Sequence, residues 1–197
     1  MSELCLVRHG ETDWNLQDLT QGSTDIPLNR LGREQARITG AHLSEQAWDA
    51  VYASDLSRAY ETAQIIAEIL ERGPVIGDER LRERGFGEAE GLHVSERKRR
   101  YRDSASIPGS EPWEEVVIRV REALEEIATR HSGERVLVVS HGGAIISLLA
   151  ELSGGSIAPG KPPLKNLSMS LLTGYPTWRI EWFNRVAPEL EDEAVSA

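Results

Sequence analysis

The sequence predicts an α/β fold: a three-layer α/β/α sandwich around a mostly parallel central sheet, with a small lid inserted. Three observations predict it. Strand-like and helix-like segments alternate along the chain. The short apolar runs Leu4–Val7 and Val136–Val139 have no polar alternation and read as buried strands. Apolar residues also recur at helical spacing over long stretches.

In chain order, Leu4–Val7 is the first strand, and a loop containing Gly and Asn runs through Asn29. Leu31, Gln35, Ile38 and Leu43 share a face of a first helix that ends near Ser44. Asp49–Ala53 reads as a second strand, and Ser54 or Asp55 is a suitable cap for the next helix. In that helix Leu56, Ala59, Tyr60, Ala63, Ile66, Ala67 and Leu70 follow the i, i+3, i+4, i+7 rule. Pro74–Ile76 is a weaker strand. Residues 85–112 are Gly-rich, irregular and basic in the middle, and read as a lid with one short helix. Trp113–His131 is a long helix with Val117, Val120, Leu124, Ile127 and Ala128 on one face. After Val136–Val139, Gly142-Gly143 opens an apolar helix to about Leu152, followed by a Gly/Pro-rich loop from Gly154 to Pro163. Segments near Ser168–Leu172 and Trp178–Phe183 form a hairpin around Gly174, and an acidic, frayed tail covers 188–197. No internal repeat or linker breaks the chain, so residues 1–197 are expected to form one domain with 85–112 as its substrate-selecting lid.

The composition narrows the function. With 40% apolar and 27% charged residues, 197 residues can build a core. No apolar run reaches the roughly 20 residues that span a bilayer, and the stretch Leu4–Val7 is too short for a secretory signal. A single Cys excludes an internal disulfide framework and a thiolate zinc cluster, which makes a reducing cytoplasm the expected compartment. The 22 basic and 32 acidic residues give a net charge of −10. That argues against nucleic acid and anionic membranes as partners. An anionic small substrate then requires a local basic pocket.

Four positions point to such a pocket. Arg8-His9-Gly10 follows the first strand, His141-Gly142-Gly143 follows Val136–Ser140, Arg58 lies in the first turn after Asp49–Ala53, and Glu83 follows the segment beginning at Val75. In a parallel sheet all four fall at the carboxyl edge, where such folds bind ligands. A cation in a helix's first turn opposes the helix dipole, and a bound anion reverses that cost. Glycines opening a helix after His141 expose amides suited to an oxyanion. Guanidinium forks and imidazoles suit a tetrahedral phosphoryl group. Neutral imidazole is a competent nucleophile, and a carboxyl group can protonate the leaving oxygen. Taken singly, His9 and His141 read equally well as satisfied core histidines.

The stretch Leu6-Val7-Arg8-His9-Gly10-Glu11-Thr12-Asp13-Trp14-Asn15 resembles the signature of the histidine phosphatase superfamily (phosphoglycerate mutase-like, branch 1). The resemblance continues through Gln21-Gly22, Asp25–Asn29, Gly32–Ala36, Ser54–Ala59, Thr62-Ala63, Leu81–Glu83, Gly87, Glu90-Gly91 and Val138–Gly143. It implies that His9 becomes phosphohistidine and that Arg8, Arg58 and His141 hold phosphoryl oxygens. It further implies that Asn15 bonds the phosphate or orders the loop, that Gln21, Gly22 and Gly142 offer further donors, and that Glu83 is the general acid and then the base. By the same resemblance no metal or other cofactor takes part, the partner is a small phosphorylated metabolite, and a homodimer is plausible. Members often carry Gly-Glu-Ser before the long helix, where this chain has Gly109-Ser110-Glu111-Pro112, which puts substrate contacts from that loop in doubt.

Two readings of turnover remain open, a phosphomonoester hydrolase and a cofactor-dependent phosphoglycerate mutase; related mutases resemble longer chains after the Glu83 position. A non-catalytic phosphate-binding protein is the third. His42 and His131 read as ordinary helix residues, His93 as the one of the three nearest substrate, and Arg80, Arg82 and Arg84 as surface pairs worth little. Arg97–Arg100 reads as a solvated helix face more than an anion-attracting one. Trp14 and Trp113 read as packing and Cys5 as inert.

Overall fold

A computed structural model describes residues 2–157 and 163–195, so the middle of the Gly154–Pro163 loop and the end of the tail lie outside the described residues. The strands are β1 (Glu3–Arg8), β2 (Ala50–Ala53), β3 (Ile76–Gly77), β4 (Arg135–Ser140), β5 (Met169–Thr173) and β6 (Arg179–Arg185). The helices are α1 (Asp13–Leu16), α2 (Arg30–Leu43), α3 (Ser57–Ile69), α4 (Val94–Arg100), α5 (Trp113–Arg130), α6 (Gly142–Leu152) and α7 (Pro188–Val195). One sheet runs β3-β2-β4-β1-β5-β6. β1, β2, β3 and β4 are mutually parallel; β5 runs antiparallel to β1, and β6 runs antiparallel to β5.

Strand side chains alternate between faces, and here both faces are covered. Leu4, Leu6, Val136 and Val138 pack with Val120, Leu124, Ile127 and Leu149 of α5 and α6. Cys5, Val7, Leu137 and Val139 pack with Leu43, Ala59, Ala63 and Ile66 of α2 and α3. This is the three-layer sandwich that the unbroken apolar strands predict. The central pair keeps the register Arg8↔Ser140, so His9 and His141 leave the sheet side by side.

Several local expectations change. The buried face of α2 is Gly32, Ala36, Thr39, Gly40 and Leu43, with Leu31 exposed. Small residues let α2 approach α3 closely: a Cβ at Gly40 would meet Ile69 at 2.8 Å. Neither Ser54 nor Asp55 caps α3 as expected. The Asp25 carboxylate does so from a distant loop, accepting the Ser57 amide and hydroxyl, both at 2.8 Å, while Asp55 pairs with Arg82. The weaker strand expected at Pro74–Ile76 is only Ile76–Gly77, and both residues are exposed. The tail, expected frayed, is helical from Pro188 to Val195. Proline is suited to a first helical position, and Leu190 packs against the α2–α3 core. The region 85–112 holds its expected short helix, α4, and two single 3-10 turns at Gly87–Ala89 and Ser104–Ser106.

Candidate active site

The site begins where β1 ends. The His9 amide bonds Ser140 O at 3.0 Å, the Gly10 amide bonds Thr62 Oγ1 at 3.1 Å, and Asn166 Nδ2 donates to His9 O at 2.9 Å. His9 is therefore held through its backbone by β4, α3 and the loop before β5. Its Nδ1 lies 2.7 Å from Gly10 O. A carbonyl only accepts, so Nδ1 carries the proton and the neutral ring keeps its lone pair on Nε2. Burial, then the positive charges of Arg58 and Arg8, hold this imidazole well below its ordinary 6.5, so it is neutral and nucleophilic at neutral pH.

Around it stand cations and a second imidazole. The His141 ring is 5.2 Å from the His9 ring, and burial followed by Arg58 lowers its proton affinity too. Arg58 is fully buried. Its terminal nitrogens donate to Gly22 O at 2.7 Å and Thr24 O at 2.9 Å. Arg8 donates to Leu164 O. Four nitrogen atoms of these side chains remain buried without a hydrogen-bond partner among the described residues: Arg8 Nε, Arg58 Nε, His141 Nδ1 and His141 Nε2. Buried polar atoms are normally satisfied. Such a concentration around the His9 ring leaves N–H groups able to meet the oxygens of an anion. Burial opposes both guanidinium charges, and Glu83 is the carboxylate that most supports them.

Glu83 reaches the site from an irregular segment. Its carboxylate accepts the Gly143, Ala144 and Arg84 amides, each at 2.9 Å. The start of α6, expected to bind the substrate's oxyanion, thus holds Glu83 instead. This also explains Gly143: a Cβ there would sit 2.5 Å from Glu83 Oε1. Gly142 backs Arg8, with a Cβ position 3.4 Å from Arg8 Nε, and is not part of the cavity wall.

The cavity beside His9 measures about 310 Å³, and its wall includes Arg8, Asn15, Gln21, Gly22, Arg58 and Glu83. Asn15 orders the loop: its Oδ1 accepts the Thr12 amide at 3.2 Å and the Thr12 hydroxyl at 3.1 Å. Gln21 leaves a buried Oε1 unpartnered among the described residues. Gly22, at φ +60°, turns its carbonyl onto Arg58. Glu90 holds this turn, accepting the Ser23 amide at 2.9 Å and the Thr24 amide at 2.8 Å. Despite partial burial, bonds from the Thr24 hydroxyl, the Phe86 amide and the Ser23 amide keep its carboxyl below the ordinary range.

The basic run divides. Lys98, Arg99 and Arg100 are exposed, as a solvated face requires. Arg97 is half-buried, lies 5.0 Å over the Phe86 ring, and joins Phe86, Val94 and Trp14 in the cavity wall. Arg84 is not a surface residue either: it is 1% exposed, 4.3 Å from the Trp113 ring, and bonds Glu111 O at 2.7 Å. Arg80 and Arg82 do form partly exposed pairs with Asp78 and Asp55. His93 caps α4 and is exposed, outside the cavity. Burial pushes the Cys5 thiol up to about 12, which leaves it inert.

Among the described residues no group of three or more His, Cys, Asp or Glu side chains is placed to hold a metal ion, and no helix is long and apolar enough to cross a membrane. The chain is 42% identical over 185 residues to the uncharacterized phosphatase PhoE of Bacillus subtilis, covering 93% of this chain and 95% of that protein. It is 38% identical to the probable phosphoglycerate mutase GpmB of Serratia proteamaculans over 86% of this chain and 84% of that one. The structure of mycobacterial glucosyl-3-phosphoglycerate phosphatase complexed with VO3 superposes with a TM-score of 0.83 at 30% identity, over 92% of this chain and 98% of that one. Residues 4–185 match the sequence profile of one family. The chain belongs to the histidine phosphatase superfamily (branch 1).

Proposed function

We propose that this chain is a phosphomonoester hydrolase acting through a phosphohistidine on His9. The observation that carries the reading is the buried, neutral His9 ring in the cavity wall, whose Nδ1–Gly10 bond leaves the lone pair on Nε2, beside a cluster of unpartnered buried nitrogens. His9 Nε2 attacks phosphorus, forming the P–N bond as the P–O ester bond breaks. Glu83 gives a proton to the departing oxygen. It then takes one from water, which attacks the same phosphorus, breaks the P–N bond and releases inorganic phosphate. Arg8, Arg58 and His141 stabilise the three equatorial oxygens, where charge accumulates.

The substrate in this reading is a small phosphorylated metabolite. Its alcohol portion faces the lid, because Phe86, Val94 and Arg97 of residues 85–112 join the cavity wall. A phosphoglycerate mutase shares the first half of the mechanism and is the alternative that one relative's name suggests. The two part when the phosphoryl group meets its acceptor, water or a second hydroxyl.

Incubation with 3-phosphoglycerate and the bisphosphate primer separates them. Phosphate release without 2-phosphoglycerate is expected. Formation of 2-phosphoglycerate faster than phosphate release would reject the hydrolase, and no turnover across a panel of phosphomonoesters, para-nitrophenyl phosphate included, would leave only phosphate binding.

A further inference from the structure

Glu83 stands on a segment with no regular structure, between the 3-10 turns Glu79–Leu81 and Gly87–Ala89. A proton-transferring carboxylate must be held to within a fraction of an ångström, and an irregular segment cannot do that alone. The holding groups are Arg119, in the second turn of α5, and Glu111, just before that helix. The Arg119 guanidinium donates through Nη1 to Arg80 O at 2.8 Å and Arg82 O at 2.7 Å, and through Nη2 to Glu83 O at 3.1 Å. It simultaneously grips Glu111 with a bidentate fork, Nε–Oε1 at 2.6 Å and Nη2–Oε2 at 2.9 Å.

Glu111 continues the grip on the other side. Its Oε2 accepts the Gly85 amide at 3.1 Å, its own amide donates to Gly85 O at 2.9 Å, and its carbonyl accepts Arg84 Nε at 2.7 Å. Glu111 and Arg119 are about one-fifth exposed, so the pair is only partly screened by water. Partial burial works against the Glu111 charge, but the Arg119 fork and the Gly85 amide keep its carboxyl below the ordinary range.

We infer that Glu111 and Arg119 form a positioning clamp for Glu83, fixing the main chain on both sides of the proton-transferring carboxylate. This gives a role to the Gly109-Ser110-Glu111-Pro112 segment that differs from substrate contact: Glu111 is absent from the cavity beside His9 and holds the backbone of Gly85, two residues after Glu83. The clamp rests on the proposed role of Glu83. Lysine cannot replace Arg119, because one ammonium has three donors and no planar fork for a carboxylate.

The test compares kcat/KM for n-propyl phosphate, a poor leaving group, and para-nitrophenyl phosphate, a good one, in wild type, Arg119→Lys, Glu111→Gln, the double variant and Glu83→Gln. Rates are normalised to the folded fraction from circular dichroism. kcat/KM reports the first half-reaction, in which the leaving group is protonated. Arg119→Lys and Glu111→Gln should each slow the propyl ester roughly 10- to 100-fold and the nitrophenyl ester far less. The double variant should be little worse than either single change, because the two side chains act as one unit. Equal slowing of both esters, or additive losses, would overturn the clamp. Absence of leaving-group dependence in Glu83→Gln as well would show that the assignment of Glu83 has failed rather than the clamp.

Discussion

At the residue scale, the chemistry turns on one tautomer. Gly10 O fixes the proton on His9 Nδ1, and burial with Arg58 and Arg8 keeps the ring neutral. Arg58→Gln removes a positive charge next to that ring, so the His9 imidazole titration followed by NMR should move to higher pH. An unchanged or lower midpoint would contradict the electrostatic assignment. Glu83→Gln is expected to slow poor leaving groups more than good ones, since protonation matters most there. His9, His141, Arg8 and Arg58 were legible because each follows a strand, and parallel strands deliver their carboxyl ends to one edge. Asn166 and Arg84 were not. An isolated Asn in a loop carries no pattern, and Arg84 alternates with acids as a surface residue would; their roles depend on which carbonyls the folded chain sets beside them.

At the scale of elements, the start of α6 shows how far a motif can be read. Gly142-Gly143 correctly marked a helix whose amides meet acceptor oxygens, but those oxygens belong to the protein's own Glu83. Sequence could not distinguish a bound phosphate from a carboxylate brought there by tertiary structure. The same holds for α3, whose cap comes from Asp25 rather than a neighbour. Gly143→Ala tests the α6 assignment. Alanine favours a helix over glycine by up to about 1 kcal/mol, yet here its Cβ would displace Glu83. Activity should fall by at least roughly tenfold on alkyl esters, in keeping with the cost of misplacing a catalytic group, while the melting temperature stays within a few degrees. Gly142→Ala, whose Cβ meets Arg8 at a tolerable 3.4 Å, should be milder. Equal losses would contradict this account.

For the whole molecule, the layered sheet was legible because its two central strands are apolar on both faces, whereas the rotation of α2 was not, because small residues there serve close packing rather than hydrophobic burial. The buried histidines link the site to global stability. The unfolded chain takes up protons near 6.5, while folded His9 and His141 resist them. Stability is therefore present above that pH and lost as pH falls below it, by up to about 1.4 kcal/mol per unit for each ring. A melting temperature that rises on acidification from neutrality to pH near 5.5 would contradict the burial of neutral rings. Vanadate or phosphate, binding only the folded state at about 100 times its Kd, should add roughly 2.7 kcal/mol, or roughly 5–10 °C, and Arg58→Gln should abolish most of that gain. The central claim is more chemical than thermodynamic. It is tested most directly by mixing the enzyme with a radiolabelled phosphomonoester, quenching in alkaline detergent and mapping the label by mass spectrometry. An acid-labile, base-stable phosphoryl group on His9, absent from His9→Ala, is the predicted result; label on another residue, or label retained in His9→Ala, would contradict it.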